Sequence, residues 1–270
     1  HKAHWGLLLA RTDMDATKHD GLSYFIIDMK QPGVETQPLK QMNGYASFNQ
    51  VFLTDAEVLP DFQVAELGDG WKVATTTLMH ERRAADSLRA WGQVPDTDGP
   101  IYDQERAEVE TTMAPYKWYP QRAGRVDLIM QRAKETGAIK DPAVRQEIAK
   151  LMTLHKSAEW TARRARSAQE QGKPQGPEGS LGKLAASNVA RAAAKVHTMI
   201  SGADSMLSGD DSPENGTVAE VLISFPASSI AGGTDEIQKN IISERVLDMP
   251  KETRFDAGKP FKDIPRNTIS

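Results

Sequence analysis

The chain has 270 residues, of which 39% are hydrophobic, so it can bury a sizeable core in one large domain or in two. Its formal net charge of −4 comes from interspersed acidic and basic residues, a pattern that argues against nucleic acid or anionic membrane as partners. The absence of cysteine excludes a disulfide framework and a cysteine-based zinc site, and the six scattered histidines lack metal-ligand spacing, so we expect no metal. With no visible signal peptide and no apolar run near ~18 residues, we expect a cytoplasmic protein without a membrane-spanning helix.

The first third of the sequence favours β-strands. Short runs rich in apolar and aromatic residues occupy positions 7–10, 23–28 and 49–53. Turn-forming pairs containing glycine separate these runs. We therefore predict a β-domain over residues 1–65.

From Gly70 onward the pattern becomes helical. Asp141 followed by Pro142 is an N-cap with proline at the first helical position, and this pair predicts the start of a long helix. Apolar residues between positions 181 and 200 recur at helical spacing and predict a second long helix. The helices together indicate an all-α region after the β-domain.

The block at 91–124 interrupts this helical pattern. Each proline inside a helix costs ~3 kcal/mol, so a helix must stop at these positions. The interrupting prolines are Pro95, Pro100, Pro115 and Pro120. We interpret the block as an insertion within a helical domain over 66–250, either a surface excursion or a wall of an altered acyl or oligomer site. A tail over 251–270, rich in charge and proline, is expected to extend along a surface.

Two adjacent glycines mark the most informative stretch of the chain. Gly232 and Gly233 permit a sharp turn with a close backbone approach. Thr234 can cap the helix that follows, and Asp235 and Glu236 suit the positive end of its dipole. Backbone N–H groups at such a start can meet a polar ligand, although an ordinary capped helix without a ligand is the alternative interpretation.

Residues 229–247 as a whole closely resemble the C-terminal signature of the acyl-CoA dehydrogenase family. Segments at 21–28, 32–34, 48–53 and 68–73 follow in the order seen in that family's middle β-domain and its exit. The resemblance implies an α+β fold, in which a partial β-barrel-like domain precedes an all-α helical bundle. It also implies an FAD-dependent oxidoreductase of fatty acid metabolism and β-oxidation, which introduces a double bond between the α and β carbons of an acyl-CoA. The implied partners are electron-transfer flavoprotein and sister subunits in a homo- or hetero-oligomer.

The resemblance also suggests a catalytic base. Removing the α-proton requires a carboxylate, and donors must meet the thioester oxygen, where negative charge develops. Many relatives carry the base as a glutamate where this chain has Gly232, whereas others place it on the helix after the β-domain, before an arginine. Here Glu81 precedes Arg82, so Glu81 is the candidate base and Gly232 would offer its backbone N–H to the oxygen. A solvated surface glutamate is the alternative.

Further roles follow from the resemblance alone. Arg82 and Gly233 match substrate-side positions, and Arg82 in a structural ion pair is the alternative. The candidate FAD contacts are Thr234, Asp235 and Glu236 at the start of the last helix, Arg132 (or Lys134) toward the diphosphate of a neighbouring subunit's FAD, and Gly202 on the adenine side. The sequence departs from the family around Arg132 and Gly202, where a phenylalanine and a glutamine are missing.

Two other functions stay open at this point. The departures would suit a non-catalytic partner subunit that completes the flavin site of a heteromeric acyl-CoA dehydrogenase. An acyl-CoA oxidase-like enzyme is the other alternative. Because His1 opens a strand that relatives place after a helical domain and a flavin-contacting motif, we expect these residues to be part of a longer protein. Alone, they are expected to bind little FAD and to be inactive.

Overall fold

The structure is a computed structural model that describes residues 1–91, 97–113, 120–173 and 176–265. The chain divides into two compact units. The first consists of His1–Gln41, Ala46–Lys117 and Thr253–Ser270, and the second of Met42–Tyr45 and Trp118–Glu252.

The described residues of the first unit form two small antiparallel sheets. Its strands are β1 (Trp5–Arg11), β2 (Leu22–Asp28), β3 (Val34–Leu39), β4 (Phe48–Leu53) and β5 (Gln63–Val64). In one sheet β2 lies between β1 and β5, with Leu8 opposite Phe25 and Tyr24 opposite Val64, and β3 pairs with β4 in a separate ribbon. The three strands predicted from the sequence are confirmed, and β3 and β5 are additional.

Helix α1 (Gly70–Trp91) begins against β2. A Cβ atom at Gly70 would lie 2.5 Å from the carbonyl carbon of Ser23, so this close approach requires glycine. The buried Ser23 hydroxyl accepts a hydrogen bond from the N–H of Gly68 at 3.0 Å and bonds to the Thr12 hydroxyl at 2.6 Å. These contacts fix α1 on the sheet of the first unit, whereas the sequence-based boundary groups it with the helical domain.

The predicted insertion and the predicted tail both contribute to the first unit. Helix α2 (Pro100–Met113) starts with proline at its first position, where the missing N–H costs nothing. Of the insertion's other prolines, Pro120 begins a short 3-10 helix (Pro120–Ala123), and those at 95 and 115 lie outside the described residues. In the tail, the N–H of Phe261 donates to the Ala16 carbonyl at 2.9 Å, and the Arg11 guanidinium carbon lies 3.4 Å from the centre of the Phe261 ring. These contacts hold the tail against the β region of its own unit.

The second unit is helical. Its helices are α3 (Val126–Glu135), α4 (Pro142–Glu170), α5 (Glu178–Ser201), α6 (Thr217–Ser224) and α7 (Asp235–Arg245). The predicted start of α4 is confirmed, because the Asp141 carboxylate accepts the N–H of Ala143 at 2.7 Å.

The core of the second unit lies between α3, α4 and α5. Its buried residues are Ile129, Ala133, Val144, Ile148, Leu151, Val189, Ala193, Val196 and Ile200. Alanines on the buried face of α5 bring neighbouring backbones close, and α4 runs along this helix. Helix α5 is therefore the central element on which α7 and the turn before it rest.

Candidate functional site

The turn before α7 has the geometry that the sequence predicts. Gly232 and Gly233 have φ values of +70° and +96°, a region that side-chain-bearing residues rarely adopt. The Thr234 hydroxyl caps α7 by accepting the N–H of Ile237 at 3.3 Å. Among the described residues, no acceptor receives a backbone N–H from Gly232, Gly233 or Thr234. The turn therefore presents backbone donors that a ligand can use.

Gln238 contacts this turn from inside the unit. The side chain is buried, and its Nε2 lies 3.2 Å from the Gly232 carbonyl oxygen and 3.4 Å from that of Gly233. A Cβ atom at Gly233 would lie 2.6 Å from the same Nε2, whereas a Cβ atom at Gly232 would meet nothing within 4 Å. The turn is thus closely packed on the Gln238 side and open at Gly232.

Asp235, the first residue of α7, points into its own unit. It is only 5% exposed, and its carboxylate oxygens lie 3.4 Å from Lys183 Nζ and 3.1 Å from Arg191 Nη2. Burial, the largest effect, opposes ionisation, but hydrogen bonds from neighbouring side chains, among them Arg191 and Lys183, outweigh it and lower the pKa of Asp235. Its carboxylate therefore joins α7 to α5.

The same face of α5 also holds the segment that leads into the turn. Lys183 Nζ and the Ser187 hydroxyl both donate to the carbonyl oxygen of Ser228, and the Ser228 hydroxyl donates to the carbonyl oxygen of Arg122. Sequence reasoning missed Lys183, Ser187 and Arg191. Their spacing of four residues, which puts polar groups on one helix face, was the signal that could have found them.

Arg132 occupies a buried polar cluster elsewhere in the second unit. It is 5% exposed, and its guanidinium donates to His197 Nδ1 at 3.1 Å and to the Ser201 hydroxyl at 2.6 Å. Its Nε lies 3.4 Å from the Glu214 carboxylate. Contact with an FAD diphosphate would require Arg132 to give up these partners, so that role stays a prediction. Gly202, at the end of α5, is exposed with φ +56°.

His197 in this cluster is neutral. Its Nε2 lies 3.1 Å and 3.2 Å from the carbonyl oxygens of Gly124 and Arg125, so Nε2 carries the hydrogen and Nδ1 accepts from Arg132. Burial, the largest effect, lowers the pKa of His197, and the charge of Arg132 lowers it further against the raising effect of the backbone hydrogen bonds. The ring therefore works as a hydrogen-bond connector between α5 and the start of α3.

The candidate base and the glycine turn belong to different units. Glu81 is exposed on α1 in the first unit, whereas Gly232 lies in the second. The side chain of Arg82 lies outside the described part of the structure. The juxtaposition of Glu81 with Gly232 thus stays a prediction.

In the described ranges, no group of three or more histidine, aspartate or glutamate side chains is placed to hold a metal ion. Among the described helices, none combines the length and the apolar character needed to cross a membrane.

Comparison with known proteins identifies relatives over most of the chain. Residues 122–247 match the family model for the acyl-CoA dehydrogenase C-terminal domain. The chain is 30% identical over 260 residues to the acyl-CoA dehydrogenase IpdE1 of Mycobacterium tuberculosis, covering 94% of this chain and 57% of that protein. It is 32% identical over 251 residues to the acyl-CoA dehydrogenase FadE34 of the same organism, covering 93% of this chain and 30% of that protein.

Solved structures share the fold. The Tcur3481-Tcur3483 steroid ACAD superposes with a TM-score of 0.69 at 19% identity, and the ChsE4-ChsE5 complex from Mycobacterium tuberculosis with a TM-score of 0.62 at 19% identity. Each match covers 93% of this chain and 58% of the other, so the chain spans a little over half the length of these proteins. The sequence relatives, the C-terminal domain match and the shared fold together establish that the chain belongs to the acyl-CoA dehydrogenase family.

Proposed function

We propose that the complete protein catalyses FAD-dependent α,β-dehydrogenation of an acyl-CoA thioester. The observation that supports this most is the turn at Gly232 and Gly233, whose backbone N–H groups have no acceptor among the described residues. Fixed donors of this kind stabilise the negative charge that develops on the thioester oxygen as the α-proton leaves. The open space beside Gly232 allows a ligand oxygen to approach its N–H closely.

Glu81 is the proposed general base. Its carboxylate takes the proton from the α-carbon, and the electrons of that C–H bond form the new double bond as the β-carbon loses a hydride. FAD, when bound, accepts the hydride, which no amino-acid side chain can do. Because Glu81 is exposed on α1, the proposal requires that substrate and cofactor cover it during turnover.

The start of α7 fits part of an FAD site. The Thr234 oxygen accepts the N–H of Ile237, which leaves its hydroxyl hydrogen for a ligand, and Glu236 is exposed beside it. Asp235 supports the site indirectly, because its carboxylate is engaged by Lys183 and Arg191. We assign Thr234 and Glu236 to direct contact with FAD and Asp235 to holding the helix start.

The proposed partners follow from the family. We propose that an electron-transfer flavoprotein is the electron acceptor of the complete protein, which works as a dimer or tetramer of like or related chains. Sedimentation of the complete protein tests the assembly, and an active, stable monomer would count against it. Peroxide formed during turnover in air would favour the oxidase alternative instead.

The proposed reaction is tested with the complete protein as purified. The visible spectrum gives the flavin content per chain, and anaerobic mixing with acyl-CoA follows the loss of flavin absorbance in a single turnover. The substrates are straight-chain, branched and steroid-side-chain CoA esters. The last class is included because one protein of similar fold is a steroid ACAD. We expect one of these classes to reduce the flavin. A flavin-containing protein that none of them reduces would contradict the proposal.

A second candidate is a non-catalytic partner subunit. The burial of Arg132 against Glu214 favours it, because a homo-oligomer would need this arginine at the FAD of a neighbouring copy, whereas in a heteromer a partner chain can supply that contact. Two solved structures of similar fold each name two proteins, the Tcur3481-Tcur3483 steroid ACAD and the ChsE4-ChsE5 complex. Purification alone and with a co-expressed homologous chain separates the candidates: a partner subunit would be colourless alone and would enter a flavin-containing complex.

A further inference from the structure

The buried side-chain amide of Gln238 contacts the glycine turn that precedes α7. It lies one turn into α7, is 6% exposed and directs its Nε2 at two carbonyl oxygens of the preceding turn. A buried amide without partners would be costly, so this arrangement holds the amide and the turn together. The 2.6 Å approach that any Cβ at Gly233 would make to Nε2 shows how closely the two are packed.

The consequence is the direction of the N–H groups on the other side of the turn. In a trans peptide unit the C=O of one residue and the N–H of the next point in opposite directions. Because Gln238 holds the carbonyls of Gly232 and Gly233, it turns the N–H groups of Gly233 and Thr234 away from itself. Neither N–H has an acceptor in the described part of the chain.

The two glycines by themselves would not hold this arrangement. Glycine populates positive and negative φ about equally, so the turn has many conformations of similar energy without a partner. The Thr234 cap fixes the start of α7 but bonds to Ile237, which leaves the peptide units before it free to rotate. Gln238 supplies the missing restraint.

We propose that Gln238 is a positioning residue, which orients the N–H groups of Gly233 and Thr234 toward an acceptor atom of the bound flavin or of the acyl thioester. This inference rests on the proposed function, since it places a ligand at the turn. Both sources offer the same chemistry, a carbonyl-type acceptor that receives a hydrogen bond from a fixed backbone donor. Preorganised donors of this kind need no rearrangement when charge develops.

The test uses the complete protein and two variants. Gln238→Met keeps the volume but removes the N–H donor, and Gln238→Glu keeps the shape but places a carboxylate against two carbonyls, so one remains informative if the other fails to fold. Lys239→Met, at an exposed neighbouring position, is the matched control. Amide hydrogen exchange of a peptide covering the turn, measured without substrate, is compared with that of a peptide from α5.

We expect both Gln238 variants to exchange the hydrogen-bonded amides that flank the glycines, those of Ala231 and Ile237, at least ~10-fold faster than wild type, with α5 unchanged. If the acceptor belongs to the flavin, the FAD dissociation constant rises about 10-fold; if it belongs to the thioester, FAD affinity holds and flavin reduction slows about 10-fold at saturating substrate. A purely structural residue would lower the melting temperature without either ligand effect, which would overturn the proposal, as would unchanged exchange. If wild type were not reduced by any acyl-CoA, the proposed reaction would fail, and exchange with FAD affinity would still decide the role of Gln238.

Discussion

The Nε of Arg132, a buried guanidinium, lies 3.4 Å from the carboxylate of Glu214, which sits on backbone of left-handed conformation. Glu214 and the following Asn215 have φ values of +52° and +53°, which residues with side chains adopt at a cost. A turn held in this conformation brings a negative charge to an arginine that has little contact with water. The ion pair therefore links the segment before α6 to α3.

Replacing Glu214 should weaken this link. Glu214→Gln removes the charge but keeps the size, so Arg132 is left with neutral partners in a buried site. Because the Glu214 side chain is 36% exposed, we expect a loss of about 1–2 kcal/mol in the free energy of unfolding, less than for a fully buried pair. Urea unfolding of the complete protein measures this. Asp210→Asn, an exposed acid in the same segment, is the control and should change little.

His197 should make the stability of the protein depend on pH. Its pKa is lowered in the folded state, so the unfolded chain binds the proton first as the pH falls through ~6.5. Above pH ~6.5 the full contribution of His197 to the free energy of unfolding is present. At lower pH this contribution falls by at most ~1.4 kcal/mol per pH unit, until the pH reaches the pKa of His197 in the folded state. The comparison is between wild type and His197→Gln, in unfolding experiments from pH 7.5 to 5. Parallel curves for the two proteins would show that His197 does not titrate as described.

Local features of this fold were predictable from the sequence because a few neighbouring residues determine them. The N-cap at Asp141 and the cap at Thr234 each bond to a backbone N–H two or three residues away. Strand β3 was not predicted, since it contains Pro38, which cannot donate to a ladder. The two-residue β5 exists only through its pairing with β2.

The candidate site was predictable only in part, for the same reason. The glycine turn is a local signal, whereas the direction of the Asp235 carboxylate depends on Lys183 and Arg191, which lie 52 and 44 residues earlier in the chain. Whether an acid at a helix start meets a ligand or another helix is decided by packing. The partners of the buried Arg132 likewise come from His197 and Glu214, which lie far along the chain.

Two buried serines of the second unit should respond differently to the loss of a hydroxyl. Ser224 is 4% exposed, and its Oγ has no hydrogen-bond partner among the described residues. Ser205 is 2% exposed, and its hydroxyl donates to the Gly202 carbonyl at 2.7 Å. We expect Ser224→Ala to be neutral or stabilising by up to ~1 kcal/mol and Ser205→Ala to cost ~1 kcal/mol. Thermal unfolding of both variants decides this, and an equal loss for both would indicate that a water satisfies Ser224.

Replacing Glu81, the proposed base, should slow the reduction of the flavin by the acyl-CoA. Glu81→Gln removes the proton acceptor while keeping the size of the side chain, so flavin content and acyl-CoA binding should hold. Flavin reduction in an anaerobic single turnover should slow by at least ~10²-fold, the low end for a positioned general base. Glu159→Gln, at a partly exposed glutamate of α4 that pairs with Lys156, is the matched control, and its flavin should be reduced at the wild-type rate. Near-normal reduction of Glu81→Gln would mean that another group takes the proton, whereas a colourless wild-type protein would favour the partner-subunit candidate.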